Sequence, residues 1–297
     1  MLKKPSDTKV GIVGVGLMGH GMAHNLLKNG YPLVAMEHPG NQPLEELLAM
    51  GATTRTRPCD IAAAVDVVIV CVTGTPEVEA VVCGPDGLLT GLRAGTVVID
   101  CSTAMPESTR RLAAAVQSRG GRFVDAPMTR TAKHAREGRL NLLVGGESGT
   151  IEVVMPLLRS FAENVTLAGP VGAGHRLKLL HNFVSLGAVA LIAEAAACAA
   201  RGGIEPRVLV DVLATGGGAG VALDRLKPYL LEQDPSGLQF AMSNALKDIR
   251  YYVEMADESQ AVHAIAEAVA GTYDLAVQLG GPRRMVPELV SVLTEAG

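Results

Sequence analysis

The sequence predicts an α/β chain: a doubly wound, mostly parallel sheet that leads through one long helix into an all-helical second half. Three observations carry this. Short apolar runs alternate with 3.6-period stretches through residue 171, as successive βαβ units do. A glycine-rich turn, Gly14-Val15-Gly16-Leu17-Met18-Gly19, separates the first apolar run from the first helical stretch. Beyond Gly172 the strand-like runs stop and helical periodicity remains.

The elements follow in order. Residues 9–14 read as a strand, followed by a helix running to Gly30 through Met22, Ala23, Leu26 and Leu27. The next strand is 31–37 and the next helix 43–50. Residues 66–72 are almost wholly apolar, which fits a strand covered on both faces, and 96–101 repeat that pattern. Helices are expected over 76–82 and, opened by Pro106, to Arg119. Strands at 123–124, 140–144 and 165–168 complete the first half, with a helix over 150–161 and a loop over 125–131. Helices at 207–214, 222–231, 239–257, 261–279 and 286–294 fill the second, broken by Gly216-Gly217-Gly218 and Gly280-Gly281-Pro282. The boundary between units falls near 169–173, giving domains 1–171 and 172–297.

The long helix, 172–201, carries Lys178, Asn182 and Ser185 on one face. Its remainder is apolar almost all round, as in a helix buried on several sides. The run 183–200 has the length of a bilayer span, but Glu194 lies inside it and its apolar content is mostly alanine, so burial in protein is the expectation. A net charge of −4 without a dense Lys/Arg run gives no support for nucleic-acid binding. The N-terminus runs almost straight into a strand and lacks a signal-peptide core. Five scattered cysteines without a C-x-x-C pair read as a reduced, cytoplasmic usage.

The glycines at 14, 16 and 19 suit a dinucleotide site. The first permits a tight turn, the second lets backbone approach a pyrophosphate, and the third allows helix and strand to pack closely, in the Rossmann manner. Glu37 closes the second strand eighteen residues after Gly19, where a carboxylate would bind the adenosine ribose and repel a 2′-phosphate. NAD is therefore expected over NADP. Lys178, partly buried beside a positive ring, could exchange a proton with a carbonyl or hydroxyl oxygen, with Asn182 holding the lysine or that oxygen. A surface lysine at a helix start is the bland alternative. In the 125–131 segment, Thr129 and Thr131 offer hydroxyls and amides, and Arg130 a fork for an anion. His175 and His181 lack ligand-spaced partners, so they read as structural and no metal is expected. On local evidence Lys247-Asp248 is a solvated pair.

Taken together, the segments 11–27 (GIVGVGLMGHGMAHNLL), 99–103 (IDCST), 125–146 (DAP…AREGRLNLLVGG), 172–182 (GAGHRLKLLHN) and 245–256 (ALKDIRYYVEMA) resemble the β-hydroxyacid dehydrogenases. That family includes 3-hydroxyisobutyrate dehydrogenase, tartronate semialdehyde (2-hydroxy-3-oxopropionate) reductase and 6-phosphogluconate dehydrogenase. The match runs in the family's order over nearly the whole chain. It implies that Gly14, Gly16, Leu17, Met18, Gly19 and Glu37 hold the dinucleotide, and that Val72, Thr73 and Thr103 touch it. It also implies that Lys247 reaches back to the cofactor, against the local reading. By the same resemblance Lys178 is the general acid/base beside Asn182, and Ser102, Thr129, Arg130 and Thr131 bind substrate. The partners implied are a small anionic hydroxy acid or semialdehyde and further copies of the chain, as a homodimer or homotetramer, with no nucleic acid or membrane. One departure is plain. Many members have Ser-Gly-Gly where this chain has Thr129-Arg130-Thr131, and an arginine there resembles the sulfolactaldehyde reductase branch. The expectation is that Arg130 grips a sulfonate, a second carboxylate or a longer hydroxy acid. A non-catalytic dinucleotide-binding module is the rival of a different class. Lys178 argues against imine reduction, and the modest helical half against decarboxylation of a sugar phosphate.

Overall fold

The computed structural model describes residues 4–296, so the outermost ends of the two expected domains, residues 1–3 and 297, lie outside the described residues. Two compact units divide at Lys178/Leu179, inside the long helix rather than ahead of it as expected. The physical reason is that the first turns of this helix are hydrogen-bonded into the sheet unit, as described below.

The sheet unit runs β1 (Val10–Val13), α1 (Leu17–Lys28), β2 (Leu33–Met36), α2 (Glu45–Ala49), β3 (Thr53–Arg55), α3 (Pro58–Ala64), β4 (Val67–Val70), α4 (Thr75–Cys83), α5 (Leu88–Gly91), β5 (Val97–Asp100), α6 (Pro106–Ser118) and β6 (Arg122–Asp125). It continues with β7 (Met128–Thr129), α7 (Ala132–Arg136), β8 (Leu140–Gly146), α8 (Ser148–Leu158) and β9 (Ala162–Gly169). Strand order is β3-β2-β1-β4-β5-β6-β8-β7, with β9 on the outer side of β8. Strands β3 through β6 are parallel, and β8 turns antiparallel to β6. In β4, Val67 and Ile69 join the core on one face of the sheet while Val68 and Val70 join the core on the other. All four are fully buried, which explains the unbroken apolar run, and each contributes about 1.5–3 kcal/mol relative to exposure. The sequence reading missed β3, α3 and α5, which are short and carry little periodicity. It also reads 125–131 as a loop, where the chain forms the end of β6, the short strand β7 and the turn that leads into α7.

The helical unit takes over α9 (Ala173–Arg201) from Leu179 and adds α10 (Pro206–Thr215), α11 (Val221–Glu232), α12 (Met242–Glu258), α13 (Ala264–Gly280) and α14 (Leu289–Glu295). Its core gathers Leu186, Val189 and Ala193 of α9 with Leu226, Ile249, Tyr273 and Leu289. The Tyr273 hydroxyl is satisfied inside that core by donating to the Leu186 carbonyl at 3.0 Å. Burial of α9 is less complete than the sequence led one to expect, because Leu180, Val184 and Leu191 form an exposed apolar stripe.

Candidate active site

The glycine loop fits the group it was expected to hold. Gly14 adopts φ +96°, and a Cβ there would sit 2.1 Å from the Cys71 carbonyl oxygen. A Cβ on Gly19 would lie 2.0 Å from the Gly14 carbonyl, so α1 packs onto the strand end only because no side chain intervenes. Gly16 faces open space, with nothing within 4 Å of where its Cβ would be. Backbone can therefore approach a phosphate there, and the first-turn N–H groups of α1 lie outside the intrahelical ladder. Asn41 braces the loop, accepting from the Val15 amide at 3.3 Å and donating to the Met36 carbonyl at 2.7 Å. Exposed Glu37 accepts the Thr54 hydroxyl at 2.5 Å. It borders an open recess of about 470 Å³ lined also by His38, Pro39, Asn41, Gln42 and Leu44, which suits an adenosine ribose.

Four further candidates sit at the carboxyl ends of β4 and β5. Val72 is held by its amide, which donates to Ser102 Oγ at 3.0 Å, while the Ser102 amide donates to Asp100 Oδ1 at 2.9 Å. Ser102 is buried and its hydroxyl oxygen accepts the Val72 amide, so it ties two loops together. Thr103 beside it is half-buried and Thr73 is exposed.

The 129–131 segment holds the largest departure from expectation. Arg130 adopts φ +78°, the left-handed backbone that glycine takes without strain, which accounts for a glycine at this place in many members of the resembled family. Its guanidinium is ion-paired with Glu163 and donates to the Arg139 carbonyl at 2.5 Å. The fork expected to grip substrate is thus occupied by the chain's own carboxylate. Thr131 Oγ lies 2.8 Å from His134 Nδ1, and half-buried Thr129 pairs with Asn141 of β8.

Lys178 is half-buried on α9, and Asn182 follows one turn later. Asn182 donates to Asp248 Oδ2 at 2.7 Å and takes its other contact from His181 Nδ1 at 3.0 Å. Asp248 also pairs with Lys247, Nζ to Oδ1 2.9 Å, and the same ammonium lies 5.1 Å from the Tyr251 ring centroid. Asp248 is only 2 % exposed, so the solvated reading of Lys247-Asp248 fails. The sequence places Asp248 in a solvated pair and gives Asp125 no role of its own, since nothing local distinguishes a buried carboxylate from a surface one. Among the described residues no His/Cys/Asp/Glu cluster suits a metal ion.

Comparison with known proteins agrees with this geometry. Residues 9–169 match the family model for the NAD-binding domain of 6-phosphogluconate dehydrogenase. Residues 172–293 match the model described as NAD-binding of NADP-dependent 3-hydroxyisobutyrate dehydrogenase. The chain is 32% identical over 284 residues to an NAD-dependent L-serine dehydrogenase of Pseudomonas aeruginosa, covering 93% of this chain and 94% of that one. It is 30% identical over 251 residues to a 2-(hydroxymethyl)glutarate dehydrogenase of Eubacterium barkeri, covering 84% and 83%. A solved 3-hydroxyisobutyrate dehydrogenase from Salmonella typhimurium superposes with a TM-score of 0.85 at 25% identity, over 96% of this chain and 100% of that one. With its glycine loop, its lysine-bearing helix and both family models in register along the sequence, the chain belongs to the β-hydroxyacid dehydrogenase family of NAD(P)-dependent oxidoreductases acting on CH–OH groups.

Proposed function

We propose that this protein is an NAD-dependent dehydrogenase or reductase of small anionic β-hydroxy acids and their semialdehydes, with Lys178 as general acid/base. The observation that carries the reading is a lysine on the first turns of α9, a helix whose start is fastened to the ligand-facing ends of the parallel strands. The nicotinamide cofactor, when bound, supplies or accepts the hydride. Lys178 Nζ gives a proton to the carbonyl oxygen during reduction and takes it from the hydroxyl during oxidation. Asn182, its amide oriented by Asp248, supports the same oxygen or the lysine. Glu37 favours NAD, because an exposed carboxylate beside the ribose site repels a 2′-phosphate.

The anionic end of the substrate is cradled by backbone of the 129–131 segment. With its guanidinium on Glu163, Arg130 supplies a left-handed turn rather than a grip. The substrates named for the relatives, hydroxyisobutyrate, serine and 2-(hydroxymethyl)glutarate, share a carboxylate two carbons from the reacting hydroxyl-bearing carbon, and that chemistry suits such a cradle. The exposed stripe of Leu180, Val184 and Leu191 supports self-association as a homodimer or homotetramer.

The test is oxidation of NADH by the purified protein with methylmalonate, tartronate and succinic semialdehydes and with sulfolactaldehyde, repeated with NADPH. Turnover on a carboxylate semialdehyde with NADH preferred is the expected result. Turnover confined to sulfolactaldehyde would return Arg130 to the role of anion grip. Tight NADH binding without turnover on any of the four would instead favour a non-catalytic module.

A further inference from the structure

We infer that Asp125, His175 and Asp100 are positioning residues for Lys178, acting through a buried chain that fixes the first turns of α9 to the loops ending β4 and β5. The inference rests on Lys178 being the acid/base, as proposed above.

Asp125, at the end of β6, is fully buried. Its Oδ1 accepts the Gly172 amide at 2.8 Å and its Oδ2 the His175 amide at 2.9 Å, so one carboxylate caps the start of α9 with two backbone donors. The seat is close-fitting at two glycines. A Cβ on Gly174 would lie 2.3 Å from the Leu143 carbonyl oxygen and 2.8 Å from Asp125 Oδ2. A Cβ on Gly145 would lie 2.7 Å from Asp125 Oδ1 and 2.8 Å from the Gly174 nitrogen.

The His175 side chain, fully buried, makes the second tie. Its Nδ1 lies 2.7 Å from Thr109 Oγ, and that hydroxyl donates its single hydrogen to the Met105 carbonyl at 3.0 Å. Thr109 is therefore the acceptor, and Nδ1 carries a proton. Nε2 then faces Asp100 Oδ2 at 3.8 Å, and neither of these two buried atoms has a hydrogen-bond partner. At 3.8 Å the two atoms lie beyond hydrogen-bond distance, so an imidazole nitrogen and a carboxylate oxygen face each other in the protein interior. Burial accordingly raises the Asp100 carboxyl above the ordinary carboxylate range. The other titratable groups around the pair are Asp125, 4.0 Å from His175 Nδ1, and the thiols of Cys71 and Cys101. From Asp100 the chain continues through Ser102 to Val72. Lys178 lies three residues past His175, on the next turn of the same face. A displacement of the first turn therefore moves the lysine relative to the loops holding Val72 and Ser102.

Asp125→Asn replaces one acceptor by an NH2 group facing an amide N–H, and Thr109→Val removes the acceptor of His175 while keeping its shape. Three quantities are read on each variant: kcat per bound NADH with the panel aldehyde that the unmutated protein reduces fastest, the pH profile of kcat, and amide hydrogen exchange over residues 172–178. For Asp125→Asn, kcat should fall by roughly 10- to 100-fold, as misplacements near an ångström do. NADH affinity should stay within about threefold, the pH profile should shift, and exchange over 172–178 should speed up while β4 and β5 stay protected. Thr109→Val should change the same readouts in milder form, and it serves where Asp125→Asn does not fold. A purely structural lesion would lower the amount of folded protein without moving the pH profile. Unchanged exchange, or kcat and pH profile unchanged per bound NADH while Lys178→Ala is inactive, would overturn the positioning role. An active Lys178→Ala would instead overturn the reading of the lysine itself.

Discussion

Arg130→Gly is the perturbation that separates a specificity residue from a structural one. Two opposing terms set its effect on stability. A non-glycine residue at φ +78° carries a left-handed backbone penalty of about 1–2 kcal/mol, which glycine removes. Glycine loses more conformational freedom on folding, which costs about 0.5–1 kcal/mol. The ion pair to Glu163 is solvent-exposed, so its loss changes little. The net is zero to slightly stabilising, and a melting temperature within about 4 °C of the unmutated protein is expected. The effect on catalysis follows from where the guanidinium already points. Occupied by Glu163 and the Arg139 carbonyl, it contributes no direct bond to substrate, and kcat/KM on carboxylate semialdehydes should change by less than about threefold. Had it gripped the anion, the lost charged hydrogen bonds would be worth about 1.5–3 kcal/mol, or roughly 10- to 150-fold. The assay is kcat/KM for a carboxylate and a sulfonate aldehyde side by side, with melting curves on both proteins. A selective loss of about tenfold or more on the sulfonate would refute the reasoning.

Two further outcomes are expected. Lys178→Ala should keep NADH affinity while turnover falls by about 10²–10⁴-fold, measured by fluorescence titration and steady-state rates. Alkaline stability should be limited by the thiols under the cofactor loops: burial pushes Cys71 up to about 12 from an ordinary 9.0, and Cys101 shifts in the same direction. Between those pH values the unfolded chain has released the thiol proton and the folded chain retains it. For Cys71, stability is therefore fully present below pH 9 and declines toward 12 by about 1.4 kcal/mol per pH unit, and Cys101 acts in the same direction. Denaturant midpoints measured across that range should fall, and Cys71→Ala should flatten the slope; a slope unchanged by the substitution would count against this account.

Legibility differed sharply along the chain. The glycine loop was readable because each glycine answers a backbone demand, as the contacts at Gly14 and Gly19 show. The strands β4 and β5 were readable because burial on both faces leaves an unbroken apolar run. Edge strand β3 and the five-residue helix α7 were not, since elements that bury little imprint little periodicity. Arg130 shows the sharper limit. Its residue type invited an anion-binding role, yet Glu163, thirty-three positions away in sequence, claims the guanidinium. The Ser102 hydroxyl likewise meets a partner the local sequence does not name, the Val72 amide, thirty positions away.

By itself the sequence determined the alternation of the longer strands and helices, the dinucleotide loop with its closing acidic residue, and the placement of Lys178 and Asn182 on one face of a helix. These are local properties: periodicity, backbone permissiveness and spacings of three or four residues survive without knowledge of neighbours. Tertiary structure alone decided which carboxylates are buried and what each one holds. Asp125 caps α9 from 47 positions away, Asp248 orients Asn182 from 66, and Asp100 meets His175 at the carboxyl end of β5. The cost of burying a charge depends on the partners that folding brings to it, and no stretch of sequence around an aspartate records them.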